Sequence, residues 1–366
     1  MTLMRRTLLR GLTAVPMVVG ASTLPSAAQA PVPAAPPEAS GTPSTMPPPG
    51  RTLDLYAVEL PKDGTQVRLG YGFTPETATY PGPLIEMTEG ETIAIRLHNQ
   101  VPEATLKALQ VDPETPIGVS LHVHGVRYRR ESDGTAHTGS HVPPGESRTY
   151  VWHAKAPSHK DRLPGTAGYW WYHDHVVGTP HGTGGLTAGL LGPVVVRRSG
   201  DSRPDHTFTT FFGNLQTINL RRSPNIDAYD PMNPVAGPNS FVAREGERVE
   251  FIAICTGNDM HTWHLHGHSW ADTRTGLIEN GQSFDSVRTI DNKTIGPGDS
   301  FGFQVIAGDI SGPGDWMLHC HMQFHSDMGM ATAFHVLDVN GNPVSHDMPA
   351  MTSMPSMNSM PGMHGH

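Results

Sequence analysis

Cysteine is nearly absent: only Cys255 and Cys320 occur among 366 residues. The two make no C-x₂₋₄-C pair, which removes the usual signature of a structural zinc site. Charge is scarce too. Asp, Glu, Lys and Arg together make 16%, the formal net charge is -9 and no basic stripe is visible, so a nucleic-acid partner is excluded. Convincing helical stretches are few. Beyond the N-terminal segment, no run approaches the ~18 apolar residues that a membrane span requires. What is abundant is Gly (40), Pro (34) and, most unusually, His (22). Glycine and proline with sparse charge point to many short strands and turns, and the length suits two domains of ordinary size.

The two ends read differently from the middle. Arg5-Arg6-Thr7-Leu8-Leu9-Arg10 precedes a modest apolar run, and Ala28-Gln29-Ala30 has the small residues of a cleavage site. Residues 1–30 thus resemble a bacterial twin-arginine export signal. The expected location is periplasmic or extracellular. Residues 31–50 form a Pro/Ala-rich linker. From 341 to 366 the chain is low-complexity. Met348, Met351, Met354, Met357, Met360 and Met363 recur every third residue, a repeat that would align six thioethers along a polyproline-II segment. Thioethers suit Cu(I).

Between these ends lie two β-rich domains, 51–198 and 205–340, separated by the polar break Arg197-Arg198-Ser199-Gly200-Asp201. Thr52–Val58, Glu91–Leu97, Arg248–Ile254 and Phe301–Ile306 alternate as strands do. Tyr80-Pro81-Gly82-Pro83-Leu84 is a turn entering another. Such strand density predicts β-sandwiches. Cys255 ends an apolar strand and reads as a small buried hydrophobe. Each domain carries two histidine clusters in the same order. The first holds Leu121-His122-Val123-His124-Gly125 and Trp171-Tyr172-His173-Asp174-His175. The second holds His261-Thr262-Trp263-His264-Leu265-His266-Gly267 and His319-Cys320-His321. The shared H-x-H-G word indicates an internal repeat.

The stretch from His319 to Met330 is a copper-ligand set. Cys320, His325 and Met330, with one more imidazole, supply the thiolate, nitrogens and weak axial thioether of a blue-copper site. Strand side chains alternate, so Cys320 faces one way while His319 and His321 face the other, toward different ions. Four His-x-His pairs give eight imidazoles: His122, His124, His173, His175, His264, His266, His319 and His321. That number serves three ions at two or three nitrogens each. His261 remains for the Cys320 site.

These motifs together resemble the multicopper oxidases and, in number and order, the two-domain (small) laccases of bacteria. The resemblance implies an all-β chain of two cupredoxin-like Greek-key β-sandwich domains with four copper ions per chain. By that similarity His261, Cys320 and His325 bind the type-1 copper, with Met330 axial. His122 and His264 bind the type-2 copper. One type-3 copper takes His124, His173 and His321, and the other takes His175, His266 and His319. Three residues compete for these roles: His268 with the 264/266 pair, Met328 with Met330, and His181 beside the second cluster. Asp133 resembles the family's proton-delivering carboxylate. Asp291 is a second candidate, and Tyr128 a candidate auxiliary redox residue. Without a cysteine the first domain holds no type-1 centre, which argues against copper nitrite reductase. The expected reaction couples one-electron oxidation of a phenolic or similar small donor near His325 or His261 to reduction of O₂ to water, with Cys320 linking the two copper sites. The resemblance further implies a head-to-tail homotrimer with clusters between subunits. The alternatives are a cuprous oxidase for copper tolerance and, in a different class, an exported copper-binding buffer.

Overall fold

A computed structural model of the chain describes residues 45–63, 66–221, 239 and 241–344. The export-signal segment, residues 31–44 of the linker and the methionine-rich tail from 345 lie outside the described residues. Eight strands build the first sandwich: β1 (Arg51–Asp63), β2 (Gln66–Gly72), β3 (Ile85–Thr88), β4 (Thr92–Asn99), β5 (His122–Val123), β6 (Ser147–His153), β7 (Gly168–His173) and β8 (Leu191–Arg197). Eleven more follow: β9 (His206–Gly213), β10 (Thr217–Ile218), β11 (Phe241–Arg244), β12 (Arg248–Cys255), β13 (His261–Leu265), β14 (Trp270–Ala271), β15 (Thr289–Ile290), β16 (Asn292–Ile295), β17 (Ser300–Ile306), β18 (Gly314–Cys320) and β19 (Ala331–Leu337). The α-helices are short: α1 (Glu103–Leu109), α2 (Thr183–Ala188) and α3 (Gln323–Asp327). Among the described residues no helix is long and apolar enough to cross a membrane.

The repeat read from the H-x-H-G word extends to topology. One sheet of the first sandwich runs β2-β1-β4-β6 and its counterpart in the second runs β10-β9-β12-β17. The facing sheets run β3-β8-β7-β5 and β11-β19-β18-β13-β16. The same pairs are parallel in both: β1 with β4 as β9 with β12, and β3 with β8 as β11 with β19.

Burial sets the order of the layers. Leu55, Ala57, Ile93, Ile95, Leu97 and Trp152 from one sheet meet Val123, Tyr172, Val194 and Val196 from the other in the first core. Val249, Phe251, Ala253 and Cys255 meet Trp263, Leu318, Cys320 and Phe334 in the second. Alternate residues of the two middle sheets close a third core. There Tyr169, Trp171, Leu191 and Val195 of the first sandwich pack on Phe211, Ile252 and Ile254 of the second. Strands β8 and β12 therefore bury both faces and read as nearly continuous apolar runs. At this seam Arg197 makes two 2.8 Å hydrogen bonds to fully buried Glu250. Tyr169 Oη donates to the same carboxylate at 2.8 Å and Gln304 Nε2 at 3.2 Å. A buried ion pair is tolerable when its remaining polar atoms are satisfied in this way.

Candidate metal centres

Strand β18 ends on Cys320, whose side chain enters the second core opposite Trp263 on β13. The first residue of β13 is His261, and α3 turns His325 back toward both. Cys320 Sγ lies 3.8 Å from His261 Nδ1 and 3.6 Å from His325 Nδ1, and the two nitrogens are 3.1 Å apart. All three residues are buried. Met330 is fully buried in the same core, and its backbone bonds to both neighbours: Cys320 N–H donates to Met330 O at 3.1 Å and Met330 N–H to His325 O at 3.0 Å. Met328 is only half-buried at the end of α3. Burial pushes the Cys320 thiol up and His261 down to about 4. A nearby cation reverses the first effect, and a neutral imidazole is the ligating form.

The neighbours of Cys320 face the other way. In the β13–β18 register Trp263 pairs with Cys320 and His264 with His319. His264 lies 5.3 Å from His319, 5.2 Å from His321 and 4.9 Å from His266, centroid to centroid. His266 Nε2 and His319 Nε2 are 3.2 Å apart. The first sandwich repeats this arrangement: His122 lies 5.3, 5.4 and 5.1 Å from His124, His173 and His175, and His124 Nε2 is 3.3 Å from His173 Nε2. The eight imidazoles thus gather as two sets of four. Among the described residues no hydrogen bond or ring contact joins the sets. One expectation needs refinement: His124, His175, His266 and His321 each lie just past a strand end rather than within a strand. The pairs nevertheless share a side.

Backbone carbonyls fix which nitrogen each ring presents. His122 Nδ1 bonds Asp133 O at 2.6 Å and His264 Nδ1 bonds Asp291 O at 2.8 Å. His173 Nδ1 bonds Asp174 O at 2.7 Å and His319 Nδ1 bonds Cys320 O at 2.9 Å. With Nδ1–H committed, Nε2 is left as a lone pair, the usual second-sphere arrangement of metal-bound histidine. Burial holds His124 down to about 4 and His173 well below the ordinary value, with the neighbouring imidazoles adding to the effect. His268 is structural: Nδ1 bonds His266 O at 2.9 Å and Nε2 accepts Gly308 N–H at 3.0 Å. His181 is exposed, edge-on to His175 at 5.4 Å. Tyr128 lies 5.8 Å from His122, and burial together with Asp133 raises its hydroxyl to about 12. Asp133 Oδ1 is 3.7 Å from His122 Nδ1, and Oδ2 accepts from Thr135. Asp291 is exposed beside His264.

Sequence reading missed Asp174, the fully buried residue between His173 and His175. Its carboxylate accepts Ser120 N–H at 2.7 Å, Val176 N–H at 3.0 Å and Val177 N–H at 2.6 Å. In the second sandwich the matching amide, Thr262 N–H, points to Cys320 Sγ at 3.4 Å. Asp174 occupies the thiolate's place in the repeat. Aligning His-Asp-His with His-Cys-His is the signal that finds it.

Multicopper oxidase family profiles match residues 77–201 and 210–340. The chain belongs to the multicopper oxidases, with one such domain in each sandwich. It is 29% identical over 278 residues to a probable nitrite reductase-hydroxylamine oxidoreductase fusion protein of Kuenenia stuttgartiensis, covering 73% of this chain and 28% of that one. It is 25% identical over 319 residues to hephaestin of Mus musculus, covering 78% and 24%. The chain therefore spans about a quarter of the length of these curated relatives. A blue copper oxidase from Nitrosomonas europaea shares the fold at 21% identity and a TM-score of 0.51, over 78% of this chain and 86% of that one.

The residues present fit copper. The thiolate, two Nδ1 atoms and a buried thioether make the soft, mixed donor set of a blue-copper site. Nitrogen pairs 3.2 and 3.3 Å apart match two ligands about 2.0 Å from one ion. The ligating atoms of His122, His124 and His173, of His264, His266 and His319, and of His261, Cys320 and His325 each fall within 4.8 Å of one another.

Proposed function

We propose that this chain is a laccase-type oxidase that takes single electrons from phenols or similar donors and reduces O₂ to water. The observation that carries this reading is the two-sidedness of His319-Cys320-His321, whose thiol joins His261 and His325 while its flanking imidazoles join His264 and His266. Copper held by these groups supplies one-electron chemistry, and four ions match the four electrons that O₂ requires. The His319 Nδ1–H bond to Cys320 O adds a second short connection between the two groups. Asp133, whose Oδ1 lies 3.7 Å from His122 Nδ1, is the carboxylate assigned to proton delivery in this reading.

The proposed assembly is a homotrimer. His264 and His319 point away from the core that holds Cys320, on the outer face of the last sheet. His173 and Trp171 lie on the seam side of β7. With sheets stacked about 10 Å apart, the sets of one chain are layers apart. Each set of four supports joining the complementary set of another copy, and a heterologous contact that closes makes a ring. Export through the segment before residue 30 belongs to the same reading.

Oxygen uptake with a phenol donor tests the activity. The parent should consume O₂ and appear blue, and Cys320→Ser should lose both. Retention of both in the variant would end this reading, and a blue parent without uptake would favour a copper buffer. A second reading, oxidation of Cu(I), is favoured by Met260 (59% exposed) and Met322 (41% exposed), which flank His261 and the turn that carries His325. Faster turnover of Cu(I) than of phenol, lost in Met260→Ala/Met322→Ala, would select it.

A further inference from the structure

Trp171 lies against the imidazole pair of the first sandwich. Its ring is 4.4 Å from His124 at an interplanar angle of 13° and 4.4 Å from His173 at 21°. The imidazoles are 5.4 Å apart, so both rest on one face of the same indole; on opposite faces they would stand at nearly twice the stacking distance. The indole is itself fixed. It is 3% exposed and packed in the seam core with Leu191, Val195, Phe211 and Ile254. Its Nε1–H donates to Gly298 O of the second sandwich at 3.2 Å, and its own carbonyl accepts His124 N–H at 2.9 Å.

The internal repeat provides a comparison. Met317 holds the equivalent place in β18, since its carbonyl accepts His266 N–H at 2.9 Å as Trp171 O accepts His124 N–H. Its side chain is a flexible thioether. Among the described residues, His266 and His319 make ring contacts only with other histidines. The two halves are therefore alike in ligands and unlike in support.

We propose that Trp171 is the positioning residue of the first half-site, an indole floor that holds His124 and His173 at ligating separation before copper arrives. The floor is pinned across the seam by Gly298, so the geometry of this pair depends on the second sandwich of the same chain. This inference rests on His124 and His173 being copper ligands. Supporting groups of this kind typically change metal affinity about 10–100-fold.

Full-length Trp171→Met, which copies the second sandwich, and Trp171→Phe, which keeps a ring face without the N–H, provide the test. Both are loaded with copper and then equilibrated at graded free copper. Copper per chain is counted alongside the blue absorbance, which reports the separate Cys320 group. The expected result is a blue Trp171→Met protein that releases its additional copper at about 10–100-fold higher free copper than the parent, with most of that loss restored in Trp171→Phe. Parent-like copper retention in Trp171→Met overturns the inference. If Trp171→Met also loses the blue band, Trp171→Phe decides: parent-like copper retention supports the floor, and release at Trp171→Met levels with the blue band intact overturns it. A blue parent without copper beyond the Cys320 site would instead refute the ligand reading itself.

Discussion

Asp174 shows how one position serves two chemistries. The second sandwich places the Cys320 thiol there. The first places a carboxylate that uses both oxygens to gather the amides of Ser120, Val176 and Val177 and so shapes the loop carrying His175. Asp174→Asn turns an amide N–H₂ toward those donors. The expected cost is about 1–3 kcal/mol, seen as a lower denaturation midpoint; an unchanged midpoint would remove Asp174's structural role. His335 gives a pH prediction. Burial lowers its pKa against the opposing 2.8 Å bond to Asp315. Because the folded value is depressed, the unfolded chain protonates first. Its contribution is full above the ordinary pKa of about 6.5 and is lost as pH falls through the lower folded value. His335→Asn should therefore flatten the fall in melting temperature on acidification, and an identical pH profile would contradict this.

Both H-x-H-G glycines are required by their neighbours. Gly125 has φ +81° and a Cβ there would run into the ring of Trp170; Gly267 has φ +68° and a Cβ would sit 2.5 Å from Trp316. Alanine at either place should cost more than about 1 kcal/mol, and trimming the tryptophan should restore only part of it because the positive φ remains. At the seam, Glu250→Ala leaves the two terminal nitrogens of Arg197 buried without their acceptor, with Glu86 holding only Nε at 2.7 Å, and should cost about 3–5 kcal/mol, with Glu250→Gln well below that. Calorimetry on both variants checks the order. Much at this scale was legible in the sequence. Alternation marked β1, β4, β12 and β17. The H-x-H spacing put each pair of imidazoles on one side, yet it carried no sign that the second histidine leaves the strand. Trp171 was invisible as a support, since an indole in an apolar run reads as core, which it also is.

For the whole molecule, the sequence showed that eight imidazoles divide four and four. Which face of which sheet each set occupies depends on long-range stacking of the two sandwiches, and spacing along the chain carries no such information. A ring of copies predicts that sedimentation yields three times the chain mass, with cluster copper lost when the ring is diluted apart; a monomer holding all its copper would contradict it. The central claim is that one cysteine separates a thiolate copper site from an imidazole cluster behind it. Its most direct test is metal analysis of the loaded protein together with its absorption spectrum. The account predicts four copper ions per chain, an intense blue band and the near-ultraviolet band of a coupled copper pair. A colourless protein, or one holding a single ion per chain, would contradict it.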